Sequence, residues 1–137
     1  MGPQKLPIDL DEFSVTPFRV NHSIPDAVGF IIDTPLGLVI HTGDFKIDHT
    51  PVDGIQFDLN AISQAGDDGV LLLMADSTYA EMAGYTPSEQ IVGDAFDNII
   101  GSAEGRVIIA SFASLISRVQ QAIDVAHKYN RIVTVTG

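Results

Sequence analysis

The stretch GVLLLMADST, residues 69 to 78, decides the fold class of this chain. Val70 begins an unbroken apolar run that ends directly before Asp76. A short run of this kind, without polar alternation, is typical of a strand buried on both faces, as in parallel sheets. Because neighbouring parallel strands need a long crossover, usually a helix, we predict an α/β fold around this strand.

The residues after this stretch alternate between helix and strand patterns. A first helix is predicted within residues 86–105, with Thr86 as the N-cap, Pro87 in the first helical position and Glu89 closing a capping box. The segments that follow, in the order strand, helix and strand, are residues 106–111, 113–130 and 131–137. This alternation predicts right-handed crossovers in a doubly wound parallel sheet.

The residues before the stretch have a β-rich pattern. Residues 13–20 predict an edge or bent strand, because Pro17 cannot donate to a sheet ladder. The apolar segments VGFIID (28–33) and LGLVIHT (36–42) surround a Pro/Gly turn and predict a hairpin. A loop at residues 46–56 and a short helix ending near Gly66 complete this half.

Composition restricts the classes of protein and of site. The chain has 137 residues, enough for one domain or a piece of a larger protein, and a hydrophobic fraction of 45%. No apolar run is long enough to span a membrane, and the start of the chain lacks the pattern of a secretory signal. Without cysteine, disulfides and thiolate zinc sites are excluded, and a cytoplasmic location is expected. The net charge of −11 argues against a phosphate-binding face.

Two side chains stand where a predicted strand turns into a loop. His22 follows the strand at residues 13–20, and Asp44 follows the strand that ends near Thr42. Imidazole and carboxylate are suitable ligands for zinc or manganese. A hydrogen-bonded strand-end histidine and a turn aspartate are the alternative interpretation, and on the residues alone both remain open. By strand alternation the side chain of His41 is expected to point away from that of Asp44.

A resemblance to a known family extends over most of the chain. It is carried by HSIPDAVGFIIDTPLGLVIHTGDFKIDHTPVDG (residues 22–54), by LLLMADSTYAEMAGYTPSEQIVG (71–93) and by GRVIIASFASLISRVQQAIDVAHKYNR (105–131). The first segment resembles the second half of the metallo-β-lactamase domain of ribonuclease J. The other two resemble the start of that family's β-CASP domain. The resemblance implies the C-terminal part of an αββα domain (residues 1–80) followed by a partial, Rossmann-like β-CASP domain (residues 81–137).

The same resemblance implies a role for each matched site residue. His22 would bind one zinc ion, and Asp44 would bridge two. Asp76 would act catalytically by orienting a metal ligand or the reacting phosphate, with Ser77 and Thr78 as polar, substrate-binding neighbours. The implied enzyme is a zinc-dependent ribonuclease, with manganese as an alternative metal. It would cleave single-stranded RNA endonucleolytically and from the 5′ end, in RNA processing and decay, as a homo-oligomer without membrane association.

The departures from the family pattern qualify this expectation. The first metal motif, His-x-His-x-Asp-His, is absent from the 137 residues. We therefore expect an internal segment of a longer enzyme that is inactive when isolated. Two alternatives remain: another hydrolase of the metallo-β-lactamase fold, and a non-catalytic remnant or interaction module.

Overall fold

A five-stranded mixed sheet organises the first half of the chain in the computed structural model, which describes residues 6–136. The strands are β1 (Ile8–Leu10), β2 (Phe13–Arg19), β3 (Val28–Thr34), β4 (Gly37–His41) and β5 (Val70–Met74). They lie side by side in chain order. The pairs from β1 to β4 are antiparallel, and β4 pairs with β5 in parallel. The predicted hairpin of β3 and β4 and the predicted α/β class are confirmed.

Strand β2 shows how the sheet accommodates a proline. Pro17 pairs with Phe30 of β3, whereas β1 extends only to the partner of Val15. The proline therefore lies in the part of β2 that has edge character, where its missing N–H leaves no ladder bond unmade. Strand β1 was not predicted from the sequence, since its three residues alone give too weak a pattern.

An aromatic and aliphatic core packs beneath β2 and β4. Phe18 and Val20 are 1% and 0% exposed, and Ile40 joins them in the same cluster. The ring of Phe57 lies 6.0 Å from that of Phe18 and 5.7 Å from that of Phe45, centroid to centroid. These contacts anchor the chain on both sides of the loop that connects β4 to the next helix.

Helix α1 (Leu59–Asp68) connects β4 to β5. Its N-cap is Asp58, whose side chain accepts a hydrogen bond from the N–H of Ala61 at 3.2 Å. The helix continues through Gly66 and ends before Gly69, whose φ is 91°. The predicted end near Gly66 was therefore early, because the positive φ that terminates the helix falls on the later glycine.

The prediction that β5 is buried on both faces is wrong. All five residues of Val70–Met74 are exposed, and Leu71 retains 60% of its accessible surface. The strand is at the edge of the sheet, paired on one side only among residues 6–136. Apolar composition thus identified the strand but not its environment, because burial depends on what packs against it.

A second compact unit contains α2 (Gln90–Ser102) and α3 (Ile116–Lys128), together with residues 23–25 and 50–55. The guanidinium of Arg118 donates to both carboxylate oxygens of Glu89, at 2.9 and 3.1 Å for Nη2. Lys128 forms an ion pair with Asp97 at 2.7 Å. Charged pairs near both ends of α3 therefore link this helix to α2 and its N-cap.

Three details of this unit correct the sequence predictions. Helix α2 has Glu89 rather than Thr86 at its N-cap, and no side-chain cap bond is formed there. The hydroxyl of Ser88 instead accepts from the N–H of Gln90 at 3.2 Å. Residues 106–111 and 131–136 are not strands, because strand propensity needs a paired neighbour to become a ladder and neither segment has one in the described chain. Residue 137 lies outside the described residues.

The other compact unit contains the sheet and α1, and extends up to Thr86. The domain division predicted at residue 80 remains a prediction. Within residues 6–136, no helix has the length and hydropathy needed to cross a membrane.

Candidate functional site

The turn that carries Asp44 is held by hydrogen bonds on both sides of this residue. The N–H of Gly43 donates to Nδ1 of His41 at 3.0 Å, and the N–H of Phe45 donates to Oδ2 of Asp76 at 3.3 Å. Gly43 has a φ of 61°, and a Cβ there would lie 2.9 Å from the carbonyl oxygen of Val28. Only glycine fits this close, left-handed position. The turn is therefore built to hold Asp44 in place.

His22 is brought to this turn by the residue before it. The carbonyl oxygen of Asn21 accepts from the N–H of Lys46 at 2.8 Å, which ties the end of β2 to the chain that follows Asp44. Nε2 of His22 then lies 3.7 Å from Oδ2 of Asp44. The His22 side chain is 35% exposed and the Asp44 side chain is 79% exposed, so the pair lies at the surface. Two residues that are 22 positions apart in sequence thus meet at one surface point.

Asp76 lies two residues beyond the end of β5, and both of its carboxylate oxygens accept hydrogen bonds. Its Oδ1 accepts from the hydroxyl of Thr78 at 2.6 Å and from the N–H of Thr78 at 2.9 Å. Its Oδ2 accepts from the N–H of Phe45, so one carboxylate joins the end of β5 to the Asp44 turn. The parallel pairing of β4 with β5 explains the meeting, since the carboxyl ends of adjacent parallel strands lie at the same edge.

These hydrogen bonds lower the pKa of Asp76 below its usual value of 3.8. The hydroxyl of Thr78 is the largest cause, followed by the N–H of Thr78, while desolvation acts in the opposite direction. The N–H of Phe45 and the positive field of His22 contribute further to the lowering. Asp76 is therefore kept ionised, as an acceptor beside the pair of His22 and Asp44.

A cleft of about 260 Å³ lies beside Asp76. Its lining is partly aromatic and contains one cation, and comprises Phe45, Lys46, Ile47, Asp76, Thr78, Tyr79, Ala80, Tyr85 and Thr86. Tyr79 and Tyr85 are 68% and 94% exposed. Ser77 and Thr78 were both predicted as substrate-binding neighbours of Asp76. Thr78 lines this cleft, whereas Ser77 is exposed and does not line it.

The geometry of His22 and Asp44 fits two ligands of one metal ion. Metal bonds of about 2.0–2.1 Å in a tetrahedral arrangement place two ligand atoms on the order of 3.3 Å apart. The observed 3.7 Å is close to this separation. A zinc site with three or more protein ligands is not formed within residues 6–136, where no group of three His, Asp or Glu side chains is placed to hold a metal.

Sequence reasoning missed two residues that build the site. Thr42 and Asn21 are each 5% exposed and contact the backbone on either side of Asp44. Thr42 does so through its hydroxyl, and Asn21 through its main-chain carbonyl. Their positions next to the predicted ligands were the available signal. A threonine or asparagine at a strand end is common enough that this signal identifies neither of them without coordinates.

Comparison with known proteins identifies the relatives of the chain. It is 51% identical over 125 residues to Ribonuclease J of Thermus thermophilus, and 50% identical over 129 residues to Ribonuclease J of Corynebacterium glutamicum. The chain belongs to the ribonuclease J family. The family model described as "Ribonuclease J, beta-CASP domain" matches residues 104–137.

These ribonuclease J relatives are much longer than the region they share with this chain. The alignments cover 91% and 94% of the chain but 22% and 18% of the Thermus and Corynebacterium proteins, respectively. A crystal structure of a protein of unknown function from Enterococcus faecalis has the same fold over 89% of the chain and 30% of its own, with a TM-score of 0.66 and 18% identity.

Proposed function

We propose that this chain supplies part of the active site of a metal-dependent ribonuclease that hydrolyses RNA phosphodiesters. The observation that carries the proposal is the convergence of His22, Asp44 and Asp76 at one edge of the sheet. The relatives named Ribonuclease J support the choice of RNA as substrate. In this proposal the parent enzyme acts both endonucleolytically and from the 5′ end.

In the proposed reaction each of the three residues has one task. Nε2 of His22 and the exposed carboxylate of Asp44 would hold metal, with Asp44 as the residue that would bridge two ions. Zinc or manganese, when bound, would supply the Lewis acidity that lowers the pKa of an attacking water. Asp76 keeps the Asp44 turn in position through the N–H of Phe45, which is an orienting role beside the metal ligands.

RNA is proposed to contact the cleft next to Asp76. Exposed aromatic rings such as Tyr79 and Tyr85 offer faces on which unpaired bases can stack, and stacking needs no net positive charge. This contact is compatible with the net charge of −11, which argues against a phosphate-binding face. The substrate is therefore single-stranded, because bases in a duplex do not expose their faces.

The activity belongs to the longer protein in this proposal. The described residues supply two metal donors, short of the three that a catalytic zinc requires. We expect the 137-residue chain by itself to leave RNA intact.

A chimera tests the proposed function. The aligned 125 residues of the Thermus thermophilus relative are replaced by those of this chain, and the product is assayed on 5′-monophosphorylated single-stranded RNA with zinc or manganese. We expect cleavage, and we expect His22→Ala and Asp44→Asn each to reduce kcat by at least about 100-fold. This estimate is a lower bound, because loss of mere partners of metal ligands already costs ~10–100-fold.

Two substitutions serve as matched controls in the same chimera. His127→Ala removes an exposed imidazole from the last turn of α3, and Asp33→Asn removes an exposed carboxylate from β3. Both should leave cleavage unchanged. A chimera that folds and binds metal but leaves RNA intact would contradict the ribonuclease proposal.

A further inference from the structure

Thr42 occupies a position from which one hydroxyl contacts both the backbone of Gly43, next to Asp44, and the backbone of Asp76. It follows β4 directly, is 5% exposed, and donates its own N–H to the carbonyl oxygen of Met74 at 3.0 Å. This bond extends the parallel pairing of β4 and β5 by one residue beyond the strands. The backbone of Thr42 is therefore held in place by a bond that does not involve its side chain.

The hydroxyl of Thr42 donates in one direction and accepts from the other. Oγ1 donates to the carbonyl oxygen of Gly43 at 2.7 Å and accepts from the N–H of Asp76 at 3.1 Å. The carbonyl of Gly43 belongs to the peptide plane that leads into Asp44. The N–H of Asp76 belongs to the plane that leads into Asp76. A single oxygen atom thus orients the two peptide planes from which these carboxylates project.

We propose that Thr42 is a positioning residue, whose hydroxyl sets the spacing of the Asp44 and Asp76 carboxylates by bridging their backbones. Its consequence for catalysis rests on the proposed function, while the bridge itself does not. A hydroxyl is required, since it donates and accepts through one atom. The β-branch of threonine restricts χ1 and therefore limits the positions that Oγ1 can take.

The bridge closes a loop of contacts around Asp44. Asp76 returns to the same turn through Oδ2, which accepts from the N–H of Phe45 at 3.3 Å. Both neighbours of Asp44 are thus linked to Asp76: Gly43 through the hydroxyl of Thr42, and Phe45 by a direct hydrogen bond. Removing the hydroxyl should therefore loosen the bond between Phe45 and Asp76, although Thr42 takes no part in that bond.

Amide hydrogen exchange, followed by NMR on the 137-residue chain, tests the bridge. In Thr42→Val we expect the amides of Asp76 and Phe45 to exchange faster by about five- to thirtyfold, since one or two kcal/mol of local protection is lost. Thr42→Ser retains the hydroxyl and should restore exchange close to the wild-type rate. The Phe45 amide is the decisive probe, because a purely local loss at Thr42 would leave it protected.

Thr34 provides a matched control. Its Oγ1 donates to the carbonyl oxygen of Gly37 at 2.8 Å and accepts from the N–H of Leu36 at 3.2 Å, the same pattern in the turn between β3 and β4. Thr34→Val should leave the exchange of Phe45 and Asp76 unchanged. In the chimera, Thr42→Val should lower kcat with little change in KM, and Thr42→Ser should recover it.

The outcomes separate this inference from the proposed function. Unchanged Phe45 exchange in a folded Thr42→Val chain would overturn the positioning role and leave the ribonuclease proposal intact. If Thr42→Val and Thr42→Ala unfold the chain while Thr34→Val does not, the hydroxyl is a requirement of the fold and the positioning role fails. A chimera that folds and binds metal but does not cleave RNA would contradict the proposed function, while the exchange result would still stand.

Discussion

At the scale of the residue, Asp44 differs from an ordinary turn aspartate. A turn aspartate uses its carboxylate to satisfy nearby backbone N–H groups. Here the backbone bonds around Asp44 are made by the side chains of His41, Thr42 and Asp76. The carboxylate of Asp44 keeps 79% of its exposure and faces His22. This arrangement favours the ligand interpretation over that of a turn aspartate.

Thr78 controls the ionisation of Asp76, and Thr78→Val should raise the pKa of this carboxyl toward 3.8. The hydroxyl is the largest cause of the lowered pKa, and valine keeps the shape of the side chain without it. Carbon-13 NMR titration of the Asp76 carboxyl measures the shift. Ser77→Ala, one residue away, is the control and should leave the titration in place.

The same lowered pKa makes a prediction for stability. A carboxyl whose folded pKa is depressed stabilises the fold above its unfolded pKa and loses that contribution as the pH falls through the folded value. The difference in unfolding free energy between wild type and Thr78→Val should therefore be present at neutral pH and shrink below about pH 3.8. Urea unfolding at a series of pH values measures it. A difference that stays constant with pH would contradict this role of Asp76.

At the scale of the element, glycines in two helices have opposite roles. A Cβ at Gly101 of α2 would lie 2.7 Å from the ring of Tyr129, which follows α3. A Cβ at Gly66 of α1 would meet no atom within 4 Å. The first glycine permits close packing of α3 on α2, whereas the second only weakens its helix. The sequence pattern alone does not distinguish them.

The two glycine-to-alanine substitutions should change stability in opposite directions. Gly66→Ala should stabilise the chain by ~0.5–1 kcal/mol through helix propensity. Gly101→Ala should destabilise its unit by about 1 kcal/mol or more, because the cost of overpacking against Tyr129 exceeds the gain in helix propensity. Urea unfolding measures both, each serving as the control for the other. Stabilisation by Gly101→Ala would show that Tyr129 moves aside at little cost.

At the scale of the whole molecule, the exposed apolar surface of β5 stands out. Leu73 retains 57% of its accessible surface in a strand whose outer edge is unpaired within residues 6–136. An exposed apolar edge strand is a template for further pairing and promotes association. The isolated chain should therefore self-associate as its concentration rises.

Leu73→Lys should reduce this association, because a charge on an edge strand opposes pairing. Leu36→Lys is the matched control, since Leu36 is 86% exposed but lies in the turn between β3 and β4. Sedimentation velocity over a range of concentrations compares the two variants. Equal association of both variants would show that β5 is not the surface responsible.

The sequence by itself determined the α/β class, the β3–β4 hairpin and the candidate ligands His22 and Asp44, because these depend on local propensity, turn residues and strand-end chemistry. It did not determine whether β5 is buried or whether residues 106–111 and 131–136 form strands, because both depend on which segments pack or pair beside them. Only the tertiary structure brought Asp76 to the Asp44 turn, since its contacts with Phe45 and Thr42 span 31 and 34 positions in sequence. Such contacts follow from the parallel pairing of β4 and β5, which no local pattern specifies.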